Sequence, residues 1–150
     1  MKYVKFLLIN IVAFSFLFFV ISLLFPGQVV TSKTVSVNSS KEAVLQKLNN
    51  TAGWKSWNAF VREAEGVKNN SVANSDTLHF DFENNHQELL QSRFIIYKDM
   101  NAVLVNWDLT EKLPWYKPWK KFSAMVLSKD FAIAMDSSLN NFKLQAEAAK

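Results

Sequence analysis

From residue 6 to residue 25 the chain runs for 20 positions in which only Asn10, Ser15 and Ser22 are polar. No other feature narrows the possible folds as much. A helix rises about 1.5 Å per residue, so such a run spans about 30 Å, the hydrocarbon thickness of a bilayer. Lys2 and Lys5 precede it, and the next basic residue is Lys33. That asymmetry predicts residues 1–5 in the cytoplasm, a transmembrane anchor at 6–25, and residues 26–150 on the far side. A cleaved signal peptide is the rival, but it requires small residues before the cut. Here Leu23-Leu24-Phe25-Pro26 presents bulky ones, which favours an uncleaved, single-pass signal anchor. Pro26-Gly27 then stops the helix.

Beyond the anchor the composition changes. The apolar share, 49% over all 150 residues, falls to about 43% after residue 25, which is that of one ordinary globular domain. With 14% aromatic and 20% charged residues, the chain is not too polar to collapse over most of its length. The absence of cysteine excludes a disulfide scaffold, Cys-ligated zinc, an iron–sulfur cluster and a cysteine nucleophile. All 13 acidic residues lie after residue 25, so little of the net charge of +4 remains on the domain. That is no footprint for nucleic acid.

Residues 31–38 (TSKTVSVN) alternate as a strand. Ser39 and Glu42 have capping-box spacing and start a helix with Val44, Leu45 and Leu48 on one stripe. GWKSW, 53–57, reads as a second short helix presenting Trp54 and Trp57 at i and i+3. A weak strand is expected around 60–67. TLHFDFE, 77–83, sets Leu78, Phe80 and Phe82 against His79, Asp81 and Glu83, and Asn84-Asn85 signals a hairpin. Strands are expected at 87–98 and 102–109, with a turn at 99–101 between them. From Trp119 almost to the end there is no Gly or Pro, and Phe131, Met135, Leu139, Phe142 and Ala146 recur at spacings of 4, 4, 3 and 4. This predicts a long helix packed along one face.

Few groups invite chemistry. His79, Asp81 and Glu83 share a strand face and are in reach of a metal, but the second histidine, His86, is across a turn. The set reads as a solvated outer face, and neither a metal nor a cofactor is expected. Neither histidine has a motif that would orient it toward a serine, so no catalytic residue is nominated. Arg93 and Asp108, each on a strand, can meet as a polar cavity site or stand as unrelated surface charges. Glycosylation sequons at Asn38, Asn49 and Asn69 are expected by chance in a chain so rich in asparagine.

The most unusual segment is LPWYKPWKKF, 113–122. Its rings and cations suit stacking on nucleic acid, contact with lipid headgroups, or simple capping of the sheet and last helix. The anchor disfavours the first, because it puts the domain outside the cytoplasm.

The order strand, two short helices, antiparallel strands and long C-terminal helix resembles the SRPBCC superfamily (START-like, or helix-grip). It resembles in particular the small membrane-anchored bacterial members related to polyketide cyclase/dehydrase-like proteins. The residues that carry the likeness are the anchor ending in Phe25-Pro26, TVSVNSSKEAVLQKLNN with GWKSW, VLVNWDL, LPWYKPWKKF and SSLNNFKLQAE. The resemblance implies an α+β fold with a curved antiparallel sheet gripping the C-terminal helix and an apolar cavity between them. Three strands and a weaker fourth between the short helices and the last helix are fewer than the family usually carries, which implies a smaller cavity or none. The implied function is binding of an apolar small molecule or lipid without catalysis. An enzyme of the polyketide cyclase, dehydratase or hydrolase kind is the alternative, and a scaffold with a filled core acting through a protein partner is another. Trp54, Trp57, Phe80, Phe82, Phe94, Trp107, Phe131 and Met135 are the cavity candidates. Trp115, Tyr116, Lys117, Trp119, Lys120 and Lys121 are the membrane-contact candidates, expected to form a gate for lipid. The expected location is a bacterial cytoplasmic membrane with the domain periplasmic or extracellular. The expected partner is the lipid bilayer, with no nucleic acid and no protein partner identified.

Overall fold

The computed structural model describes residues 2–61, 67–72, 75–83, 89–99 and 102–148. Its elements are α1 (Lys2–Leu23), β1 (Gln28–Val37), α2 (Lys41–Asn49), a 3-10 helix (Thr51–Ser56), β2 (Val67–Asn69), β3 (Thr77–Glu83), β4 (Leu89–Asp99), β5 (Ala102–Lys112) and α3 (Pro118–Glu147). The chain divides into two compact units. One comprises Met1–Val29 with Lys112–Leu127, the other Val30–Glu111 with Ser128–Lys150.

In the first unit, the stretch Tyr3–Leu23 is long and apolar enough to cross a membrane. Two of its polar exceptions are satisfied locally. Asn10 Nδ2 donates to the Phe6 carbonyl at 2.8 Å and Ser22 Oγ to the Phe19 carbonyl at 2.7 Å. Such back-bonding spares both side chains a partner elsewhere.

The second unit is built on a five-stranded sheet in the order β1-β5-β4-β3-β2. The pairs β2–β3, β3–β4 and β4–β5 are antiparallel. Between β1 and β5, Ser32 bonds to Asp108 and Thr34 to Asn106, so the numbering rises on one strand as it falls on the other. With α3, this is an α+β helix-grip architecture. Alternation along the strands sends Leu78, Phe80, Phe82, Leu90, Phe94, Ile96, Val103, Val105, Trp107 and Leu109 to the buried face. Met135, Leu139, Phe142 and Ala146 of α3 are buried in the same core, with Phe131 packed against it half-buried.

The differences from expectation are local. The helix-capping residue is Ser40, whose hydroxyl accepts from Ala43 N, and not Ser39, whose own N–H closes a turn onto the Val37 carbonyl. Adjacent serines offer the same chemistry, and the turn decides which one caps. The second short helix is a 3-10 helix. Three residues per turn eclipse i and i+3, which puts Trp54 and Trp57 on one side. β1 begins three residues before the expected start, and β5 runs three beyond Leu109. Of the weak strand expected around 60–67, Phe60 and Val61 lie in a turn, 62–66 lie outside the described residues, and β2 begins only at Val67. The hairpin at Asn84-Asn85, His86 and the Met100-Asn101 part of the expected turn also lie outside them.

Candidate functional site

Five of the eight cavity candidates form one ring cluster with Phe142. Trp54 lies edge-on to Phe80, with centroids 4.5 Å apart, and tilted against Trp57 at 5.3 Å. Trp57 meets Phe142 at 5.1 Å and Trp107 at 6.2 Å, and Phe94 stacks on Trp107 at 5.2 Å. Phe82 joins through Trp54 at 6.3 Å, while Phe131 joins through Phe60 at 5.4 Å. Met135 is buried among the same residues. Offset and edge-to-face contacts of this kind are favourable for aromatic quadrupoles. The fold thus brings all eight to the core side of the sheet. The rings touch one another there.

Polar atoms inside this core are few. Trp54 Nε1 donates to the Leu48 carbonyl at 2.8 Å, and Trp107 Nε1 to Ser92 Oγ at 2.6 Å. Ser138 Oγ accepts from Ala59 N and donates to the Ala134 carbonyl. Two buried donors differ from these. Trp57 Nε1 and the Asn58 amide nitrogen have no hydrogen-bond partner among the described residues. A buried donor left unpaired is costly, so it marks a place where an acceptor is wanted. The sequence gives no hint of this, because both residues look like ordinary members of a helix end.

Arg93 and Asp108 do meet, but not in the core. Phe94 pairs with Trp107 in register on the buried face, so the adjacent pair Arg93–Asp108 faces the other way. Arg93 Nε donates to Asp108 Oδ2 at 3.0 Å, with Nη2 on the same oxygen. Ser32 Oγ and Asn106 Nδ2 donate to Oδ1 at 2.6 and 3.1 Å. Burial by itself would push the Asp108 carboxyl up. The donors Ser32, Arg93 and Asn106, with the guanidinium charge, outweigh it and hold the group below the usual carboxylate range. His79 is the register partner of Arg93, and Asp81 accepts from Asn70 at 2.8 Å.

The membrane-contact candidates all fall in the first unit. Trp115, Tyr116 and Trp119 are exposed, and Lys117 lies 5.8 Å from the Tyr116 ring centre. Lys121, expected among the outward cations, is instead only 4% exposed. Its Nζ donates to the carbonyls of Ser22 at 2.9 Å and Phe25 at 3.2 Å. These carbonyls lie where α1 ends, and that of Ser22 also accepts from Phe25 N at 3.3 Å. Phe122 beside it stacks on Phe18 at 4.5 Å and meets Phe25 edge-on at 5.0 Å, and Trp115 meets Phe19 at 6.3 Å.

No protein-family model matches the chain, and no curated protein matches it in sequence. Many solved structures match its fold. DynU16, from the dynemicin biosynthetic locus, superposes with a TM-score of 0.58 at 12% identity, over 81% of this chain and 48% of that one. A Deinococcus radiodurans protein gives 0.57 at 10% identity, over 81% of this chain and 100% of that one. The di-domain ARO/CYC StfQ from the steffimycin biosynthetic pathway gives 0.53 at 9% identity, over 81% and 52%. The chain spans about half the length of the two biosynthetic proteins. At such identities the likeness is one of fold, the helix-grip arrangement described above.

Proposed function

We propose that this chain is a single-pass membrane protein whose helix-grip domain binds an apolar small molecule or lipid without transforming it. The observation that carries the reading is the pair of orphaned donors, Trp57 Nε1 and Asn58 Nδ2, in a largely apolar core of rings and aliphatic side chains. An apolar molecule bearing a carbonyl or hydroxyl oxygen supplies the acceptor they lack, and the surrounding rings take its hydrocarbon part. The fold supports a ligand in this place, since it serves both binding and catalysis. Binding is favoured over catalysis because the core-side buried polar residues of this unit, among those described, are Asn58, Ser92 and Ser138. None of these is an acid or a base. Asp108, the remaining buried polar group of this unit, is turned to the outer face.

The anchor reading rests on the apolar stretch Tyr3–Leu23, nearly all of whose large side chains are uncovered. Lys2 and Lys5, ahead of the uninterrupted apolar run 6–25, favour a cytoplasmic N-terminus and a domain on the far side of a bacterial cytoplasmic membrane.

A scaffold with a filled core is the second reading, favoured by ring centroids that lie only 4.5 to 6.3 Å apart. Native mass spectrometry of the full chain, extracted gently from its own membrane, separates the two. A co-purifying apolar oxygen compound that is lost in the Trp57→Phe, Asn58→Leu double variant supports binding. A bare polypeptide mass, with tryptophan emission unmoved by added fatty acid, overturns it in favour of the scaffold.

A further inference from the structure

The first unit holds an apolar surface that the anchor alone does not account for. At the start of α3, Met125, Val126 and Leu127 are three consecutive large apolar residues, all exposed, and Val126 is 76% exposed. A soluble surface rarely carries such a run unless something covers it. Trp119, Phe122 and Val126 stand at i, i+3 and i+7, so they share one face of the helix. Phe122 on that face stacks on Phe18 and meets Phe25, side chains of α1 and its end. The exposed apolar surface of α1 therefore continues onto the first turns of α3.

Charge agrees with this placement. All 13 acidic residues of the chain belong to the other unit, whereas Lys112, Lys117, Lys120 and Lys121 belong to this one. The most covered of these lysines, Lys121, is spent on the carbonyls at the end of α1 and brings no bare charge to the apolar face. Trp115, Tyr116 and Trp119 add the amphipathic rings that concentrate at the boundary between acyl chains and headgroups.

We infer that the first turns of α3, residues 118–127, form a second membrane element. It lies in the interfacial layer of an anionic bilayer with Trp119 and Val126 toward the acyl chains, and Lys121 clasps it to the end of the span. The inference rests on the anchor reading, and its test separates the two. The chain has no cysteine, so single cysteines can be introduced at Val126, at Phe14 in the span, and at the exposed Ser36 of β1. Each full-length variant, carrying an environment-sensitive fluorophore, is reconstituted in vesicles of phosphatidylcholine and phosphatidylglycerol. The expected result is that Val126→Cys is quenched by lipids spin-labelled near the headgroup and Phe14→Cys by lipids labelled deep in the chain. Aqueous iodide should quench Ser36→Cys several-fold more strongly than either. Iodide quenching at Val126→Cys as strong as at Ser36→Cys, with Phe14→Cys protected, overturns the interfacial element and leaves the anchor standing. Free iodide access to Phe14→Cys overturns both.

Discussion

Arg93 gives two hydrogen bonds to a single oxygen of Asp108, leaving the other carboxylate oxygen to Ser32 and Asn106. One carboxylate thus ties β4, β5 and β1 together on the outer face of the sheet. Burial works to raise its pKa, but the three donors and the guanidinium charge prevail and depress it. A depressed carboxylate stabilises the fold above its unfolded pKa and loses that contribution as the pH falls through the folded value. Urea unfolding should show Asp108→Asn less stable than wild type at pH 7 by about 1–3 kcal/mol. The gap should narrow below about pH 4, and a gap constant down to pH 2 would contradict the account.

Trp107 sits at the centre of the ring cluster, with its indole nitrogen on Ser92. Trp107→Ala should cost about 3–5 kcal/mol, the range for truncating a buried aromatic. Ser92→Ala leaves the indole N–H unpaired and should cost about 1–3 kcal/mol. Chemical unfolding followed by far-ultraviolet circular dichroism reads both, and equal losses would mean that packing contributes little beyond the hydrogen bond.

Alkaline phosphatase fused after Lys150 should be active in cells, and the same enzyme fused ahead of Lys2 inactive. The reverse pattern would place the domain in the cytoplasm and defeat the orientation drawn from Lys2 and Lys5.

Lys121→Met should loosen the end of α1. Two carbonyls lose a charged donor, and amide exchange over residues 21–25 should rise several-fold, with Lys121→Arg restoring part of the protection. Unchanged exchange in Lys121→Met would show that the ring contacts of Phe122 alone hold this junction.

Wherever a simple period governs, the fold was legible. TLHFDFE alternates in sequence and alternates in burial, and the 4, 4, 3, 4 spacing of Phe131, Met135, Leu139, Phe142 and Ala146 marks the packed face of α3. The ring cluster could be gathered for the same reason, since each member occupies a core phase of its own element. Lys121 could not be read as buried, because a lysine among aromatics looks the same whether it faces headgroups or helix carbonyls. The Arg93–Asp108 pair depended on register, which no local pattern states. The orphaned donors of Trp57 and Asn58 emerge only once every neighbouring acceptor has been placed.

The strand order also dictates a sequence of events during synthesis. β3, β4 and β5 are successive antiparallel neighbours and can zip together as hairpins while the chain is still being made. β1 emerges from the ribosome long before them, yet its partner is β5, and Ser32 waits 76 positions for Asp108. Closing so long a loop is slow. Until it closes, the strand joined directly to α1 carries Val29, Val30, Val35 and Val37 with its backbone unpaired. Nascent chains are prone to wrong pairings at such an edge. The wait of its first strand for its last thus leaves this protein open to mispairing while it is made.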